Sequence, residues 1–181
     1  INVLHPFGAV APMDEIMAVA RKHGIPVIED CSHAHGALYK GRKVGTLGDI
    51  GCFSLQQSKQ MTCGDGGVTI TNDDRLAERA RLFADKAWPR GAGTDRGYLF
   101  LAQNYRMTEL QGAVARAQLR KVRDVVGRRR KAGEMLTDQG LRARGDGVPL
   151  HAFVPGHRDE VVEEEDLAHA LARDEVHDIV R

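Results

Sequence analysis

The run "INVLHPFGAVAPMDEIMAVARKHGIPVIED", residues 1–30, decides the fold. Its opening "INVL" is a short apolar stretch closed by Pro6 and Gly8, the pattern of a strand entering a loop. Pro12 then opens a helix. Asp14 and Glu15 come early, Arg21 and Lys22 late, and Gly24 stops it, so the charges follow the helix dipole. Ile16, Val19 and Ala20 are expected on its core-facing side. "IPVIED" (25–30) has the compact apolar pattern of a buried strand. Strand, helix and strand in so short a span predict a right-handed βαβ unit with parallel strands.

Working outward, a loop rich in Gly and His covers 31–48, and "IGCFSL" and "GVTIT" read as two further strands. Asn72 is placed to cap a helix over about 73–86. Thr108 and Gln111 form a T-x-x-Q capping box that opens a long helix through Leu110, Val114, Ala117, Val122 and Val125. Strands alternating with helices predict a layered α/β fold with a mostly parallel sheet. Residues 1–140 are expected to be part of one larger domain. Residues 141–181 read as a linker, "GLRARGDGVPL", and an incomplete or divergent C-terminal segment, in which "VVEEEDLAHALARDEVHDIV" suits an amphipathic helix.

Composition is that of an ordinary globular chain: 181 residues, 28% charged, formal charge +1. This balance gives no reason to expect nucleic acid as a partner, and no apolar run is long enough to span a bilayer. The basic cluster "RKVRDVVGRRRK" (120–131) lies on an expected helix without interleaved aromatics, which favours a solvated helix face. Cys31, Cys52 and Cys63, odd in number and without zinc-like spacing, suit reduced thiols in a cytoplasmic protein. Ile at position 1 suggests a processed chain or a piece of a longer one.

Chemistry concentrates where the strands end, since ligands of open α/β sheets sit beyond the carboxyl ends of the strands. Asp30 ends "IPVIE", Ser54 closes "IGCFS", and Lys59 follows five residues later, before "GDGG". Between Ile50 and Gly64, Lys59 is the only charged side chain. A lysine amid neutral groups is costly unless paired, deprotonated or covalently used. Considered singly, each feature has an ordinary explanation: a cap for Asp30, a strand-end hydroxyl for Ser54, a surface loop for Lys59 and a plain turn for the glycines. "DCSHAH" sets Asp30 beside His33 and His35, but no fourth ligand completes a metal site. Taken together, amine, carboxylate and hydroxyl suit pyridoxal 5'-phosphate. Lysine would form the Schiff base, the carboxylate would keep the pyridine nitrogen protonated, and the hydroxyl and nearby turns would hold the phosphate.

Two longer blocks carry a resemblance. "VIEDCSHAHGALYKGRKVGTLGDIGCFSLQQSKQMTCGDGGVTITND" (27–73) and "FLAQNYRMTELQGAVARAQL" (100–119) resemble the DegT/DnrJ/StrS family of pyridoxal-phosphate sugar and cyclitol aminotransferases. The likeness covers roughly residues 1–140. It implies the three-layer large domain of a fold type I enzyme, truncated here, with the start of a small C-terminal domain, and a homodimer with a shared active site. By position, Lys59 matches the Schiff-base lysine, Asp30 the acid at the pyridine nitrogen, and Ser54 the serine that holds the phosphate. His33 stands where many members carry Gln beside the ring, and Asn104 matches an asparagine that reaches the phosphate from the partner subunit. "FSLQQSK" and "NYRMTELQGAVA" look most like the glutamine-dependent scyllo-inosose aminotransferases, implying Gln or Glu as donor and a keto-sugar or keto-cyclitol as acceptor.

Asp65 stands where the family more often has Glu, a change expected to keep the turn. The family also carries a segment ahead of the position of Ile1, which would supply further cofactor contacts. Two other readings stay open: a family dehydratase, against which the retained Lys59 argues, and a non-catalytic or decayed fragment. Specificity is expected near Gln56, Gln57 and residues 86–103.

Overall fold

A computed structural model describes residues 1–90 and 97–138. Strand β1 (Asn2–Leu4) runs into a single 3-10 turn (Pro6–Gly8), then α1 (Met13–Lys22) and β2 (Ile28–Asp30). A small hairpin, β3 (Leu38–Tyr39) and β4 (Arg42–Lys43), precedes β5 (Ile50–Ser54) and β6 (Gly67–Ile70). Three helices follow: α2 (Asp74–Ala84), α3 (Glu109–Leu119) and α4 (Val122–Asp138).

The main sheet has the order β1-β2-β5-β6, with β1, β2 and β5 parallel and β6 antiparallel to β5. The parallel pairing of β1 and β2 through α1 is the arrangement expected from residues 1–30. Register puts Leu4, Asp30, Cys52 and Thr69 in one row across the sheet, and Val3, Glu29, Gly51 and Ile70 in the next. Because side chains alternate along a strand, these rows face opposite ways. The face with Val3 is covered by α1 and the 31–48 loop, through Met13, Ala20, Ala34 and Leu47. The other face shows Leu4 (49% exposed) and Ile28 (40% exposed) to solvent.

A second, smaller core of Leu55, Cys63 and Ala115 packs the β5–β6 connection against α3. That connection carries Lys59. Leu55 N–H donates to Gly66 O (2.8 Å) and Cys63 N–H to Leu55 O (3.0 Å), closing the base of the turn.

Several expectations shift. Val19 points outward, whereas Ala20 is buried and Ile16 packs against the core as expected, joined by the buried Met13 and by Met17. The cap of α2 is Asp73, not Asn72: its carboxylate accepts from the N–H groups of Arg75 (2.8 Å) and Leu76 (3.2 Å). The capping box at Thr108 forms as expected. The long helix does not run through, however, but breaks at Arg120 and Lys121 into α3 and α4. Of the apolar residues along it, Leu110 (81% exposed) and Val114 in α3 face solvent while Gly112 and Ala115 are buried, and Val122 in α4 is buried. In the basic cluster Arg128 pairs with Asp124 (2.9 Å) on an exposed face of α4. The linker and amphipathic helix expected beyond residue 140, and residues 91–96, lie outside the described residues.

Candidate active site

The site is built at the carboxyl ends of β2 and β5. Behind it, one buried carboxylate fixes the surrounding chain. Glu29 is fully buried and accepts four hydrogen bonds. Three come from the backbone N–H groups of Gly45 (2.8 Å), Leu47 (2.7 Å) and Gly48 (2.6 Å), the fourth from His5 Nε2 (3.1 Å). His5 Nδ1 accepts from Ala11 N–H (3.3 Å), which assigns the ring proton to Nε2 and leaves the imidazole neutral. Burial pushes the Glu29 carboxyl up, but the His5 and backbone donors outweigh it and hold the group below its ordinary value. The approach of the 45–48 loop needs glycine: a Cβ on Gly51 would lie 2.4 Å from Gly45 O.

Cys31, with His5 and Glu29, makes a buried trio whose ligand atoms lie within 4.8 Å of one another. Metal is nevertheless a poor reading of it. Both Glu29 oxygens are occupied by donors, and burial pushes the Cys31 thiol up, against the thiolate that a metal needs.

Next along β2, Asp30 Oδ1 accepts from Ser32 N–H (3.0 Å). The Ser32 side chain, then its backbone, then the charges of His33 and Lys59 hold the Asp30 carboxyl below its ordinary value, against burial. Asp30 is therefore an anion, and Lys59 stands within electrostatic reach of it. On β5, Ser54 Oγ accepts from Gln56 N–H (3.3 Å), which leaves its own proton to give to a ligand. Gln56 Oε1 accepts from Ser58 N–H (2.8 Å) and Oγ (2.7 Å), and Lys59 N–H donates to Gln56 O (3.0 Å). The turn "SLQQSK" is thus stitched by its own polar side chains. Lys59 is half-buried and makes no ion pair among the described residues.

His33 stacks on Phe7 (centroids 5.0 Å apart, planes at 24°), and its buried Nδ1 has no hydrogen-bond partner. Phe7 holds a left-handed backbone (φ 54°), unusual for a bulky residue and a frequent mark of functional sites. Gln60 Nε2 donates to His33 O (3.1 Å), tying the Lys59 turn to the loop after β2. His35 is buried against Phe53, and burial lowers its pKa, with the charges of Lys59 and Arg129 adding and Gln60 and the Ser54 backbone opposing.

Asp30, His33, Ser54 and Lys59 therefore gather at one end of the sheet. Asn104 does not join them: it is exposed, bridged to Asp85 through the backbone, with Arg106 Nε donating to its Oδ1 (3.0 Å). Glu29, Phe7 and Gln60 escaped the sequence reading. Of these only Glu29 left a signal, as a carboxylate inside an apolar strand. The donor set of a primary amine, an ionised carboxylate, a hydroxyl and an unpartnered imidazole nitrogen suits an aromatic nitrogen heterocycle bearing an aldehyde and a phosphate.

Comparison with known proteins agrees with this fold. The chain belongs to the DegT/DnrJ/EryC1/StrS aminotransferase family, whose match covers residues 1–162 and so reaches past the 140 at which likeness was expected to end. It is 42% identical over 155 residues to the L-glutamine:2-deoxy-scyllo-inosose aminotransferase of Streptoalloteichus tenebrarius, covering 78% of this chain and 36% of that protein. With the GDP-perosamine synthase of Caulobacter vibrioides it shares 45% identity over 126 residues, 67% of this chain and 32% of the relative. The X-ray structure of the aminotransferase from Psychrobacter cryohalolentis matches with a TM-score of 0.68 at 35% identity, covering 78% of this chain and 39% of that one. The chain thus spans about a third of the length of the curated relatives it matches.

Proposed function

We propose that these residues belong to a pyridoxal-phosphate-dependent aminotransferase that moves an amino group from glutamine or glutamate to a keto-sugar or keto-cyclitol. The observation that carries this is Lys59, in the turn after β5 and within electrostatic reach of the ionised Asp30 at the end of β2, in a chain of an aminotransferase family. The glutamine donor and cyclitol acceptor follow the names of relatives such as the scyllo-inosose aminotransferases. Cytoplasmic residence and a homodimer with a shared site complete the reading. No helix among the described residues is long and apolar enough to cross a membrane.

Pyridoxal phosphate, when bound, supplies an aldehyde and an electron-withdrawing ring that carry the amino group from donor to acceptor. Asp30 would face the ring nitrogen and hold a proton there, which its low pKa suits it to do as a permanent anion. Lys59 would tether the cofactor through its amine and, once displaced, move a proton at the substrate carbon as general acid and base. Ser54 would donate its free hydroxyl proton to the phosphate, and His33, held flat by Phe7, would lie beside the ring. Asn104 would donate to the phosphate bound in the partner subunit. The Glu29 network keeps Asp30 in place from behind.

Borohydride reduction of the full-length protein with pyridoxal phosphate, followed by peptide mass mapping, tests this. A phosphopyridoxyl group confined to Lys59 is expected, with its loss and the loss of transamination in Lys59→Ala. Labelling spread over other lysines, or undiminished transamination by Lys59→Ala, would sink the reading.

A further inference from the structure

Asp85 ends α2 and is only 8% exposed, yet three cations converge on it. Arg90 donates to Oδ2, Lys86 Nζ stands 3.6 Å from Oδ1, and Arg106 Nε stands 3.2 Å from Oδ1. Arg106 has one Nε–H, and it is given to Asn104 Oδ1 at 3.0 Å. Asp85 Oδ1 consequently keeps an ion-pair contact but no hydrogen bond. The arrangement is also locked through the backbone. Lys86 N–H donates to Gln103 O and Tyr105 N–H to Ala84 O, both at 2.8 Å, around the Asp85–Asn104 bridge. Lys86 and Ala87 both hold left-handed backbones (φ 60° and 54°), a strain that persists only where surrounding structure over-determines it.

The consequence falls on the Asn104 carboxamide. Its oxygen is committed to the guanidinium, and the flipped amide would set two donors face to face. What Asn104 can offer a ligand is therefore its NH2, a donor.

We propose that Asp85 and Arg106 are positioning residues that hold the Asn104 carboxamide with its donors outward, so that it binds the phosphate of the cofactor in the partner subunit. Asp85 fixes the guanidinium, the guanidinium fixes the amide oxygen, and the amide NH2 meets the phosphate. The inference rests on the reading of Asn104 as a phosphate donor given above.

The test measures binding of pyridoxal 5'-phosphate and of pyridoxal, which lacks the phosphate, to the full-length protein by equilibrium dialysis. Asp85→Asn, Arg106→Met and Asn104→Ala are each expected to weaken pyridoxal phosphate about tenfold or more, the scale of a lost charge-assisted hydrogen bond. Pyridoxal binding should not change. Arg106→Met combined with Asn104→Ala should be no weaker than Asn104→Ala alone, because the residues act in series. If Asn104→Ala weakens the phosphate form while Asp85→Asn and Arg106→Met do not, the inference is overturned and the role of Asn104 stands. Equal loss of both ligands in the Asp85 and Arg106 variants would overturn it too, showing a role only in folding. No effect of Asn104→Ala would overturn the inference together with the reading beneath it.

Discussion

Glu29 and Asp30 are neighbours in sequence with opposite duties, because successive side chains of a strand face opposite ways. Asp30 looks outward to the site; Glu29 looks inward and gathers His5 and the 45–48 loop. Glu29→Gln puts an amide where only acceptors fit and should cost roughly 3–5 kcal/mol, the scale of a broken buried charge network. The sign of the pH effect follows from the carboxyl being held low in the folded state. Its stabilisation is complete above the ordinary carboxylate range and is lost as pH falls through the folded value. Denaturant titrations across the acid range should therefore show a shallower fall for Glu29→Gln than for wild type. An equally steep fall would mean other carboxylates carry the acid sensitivity. Asp30, Ser54 and Lys59 were legible in the sequence because isolation of charge and position at strand ends are local properties. Phe7 was not, since its strained backbone and its stacking on His33 arise from chain segments 26 residues apart.

At the scale of elements, helix ends were legible and helix faces were not. Thr108 and Gln111 announce a capping box through short-range chemistry, and the box is there. In "TNDD" the choice between Asn72 and Asp73 turns on where the chain leaves β6, and Asp73 wins. Leu110 and Val114 form a periodic apolar stripe, but periodicity does not name the face that meets a neighbour; the small Gly112 and Ala115 meet it, allowing close approach to Leu55 and Cys63. The β3–β4 hairpin went unseen because strands of two residues hold no period. A close backbone approach in the core is also an element-level matter. Gly51 lies under Gly45, and a methyl group there would sit 2.4 Å from Gly45 O. Gly51→Ala should destabilise by about 2–3 kcal/mol, as overpacking against backbone does, and release the Glu29 donors with it. Chemical denaturation of the full-length variant checks this; an unchanged midpoint would mean the loop can lift without cost.

Across the whole molecule, one face of the sheet is covered and the other shows Leu4 and Ile28 to solvent, while β1 and β6 each have an outer edge unpaired among the described residues. Edges of this kind template further strands, and "INVL" has no charged side chain to discourage it. These 181 residues produced by themselves should self-associate with a concentration-dependent gain of cross-strand signal in light scattering and thioflavin fluorescence. Lysine placed at Leu4 should suppress it. A monodisperse monomer at high concentration would refute the expectation.

Gln111 belongs to two structures at once. Its Oε1 completes the α3 cap at Thr108 N–H (3.0 Å), and its Nε2 grips Asp65 O (2.8 Å) in the turn that follows Lys59. One side chain therefore fastens the first turn of α3, with its exposed Leu110, to the connection that carries Lys59.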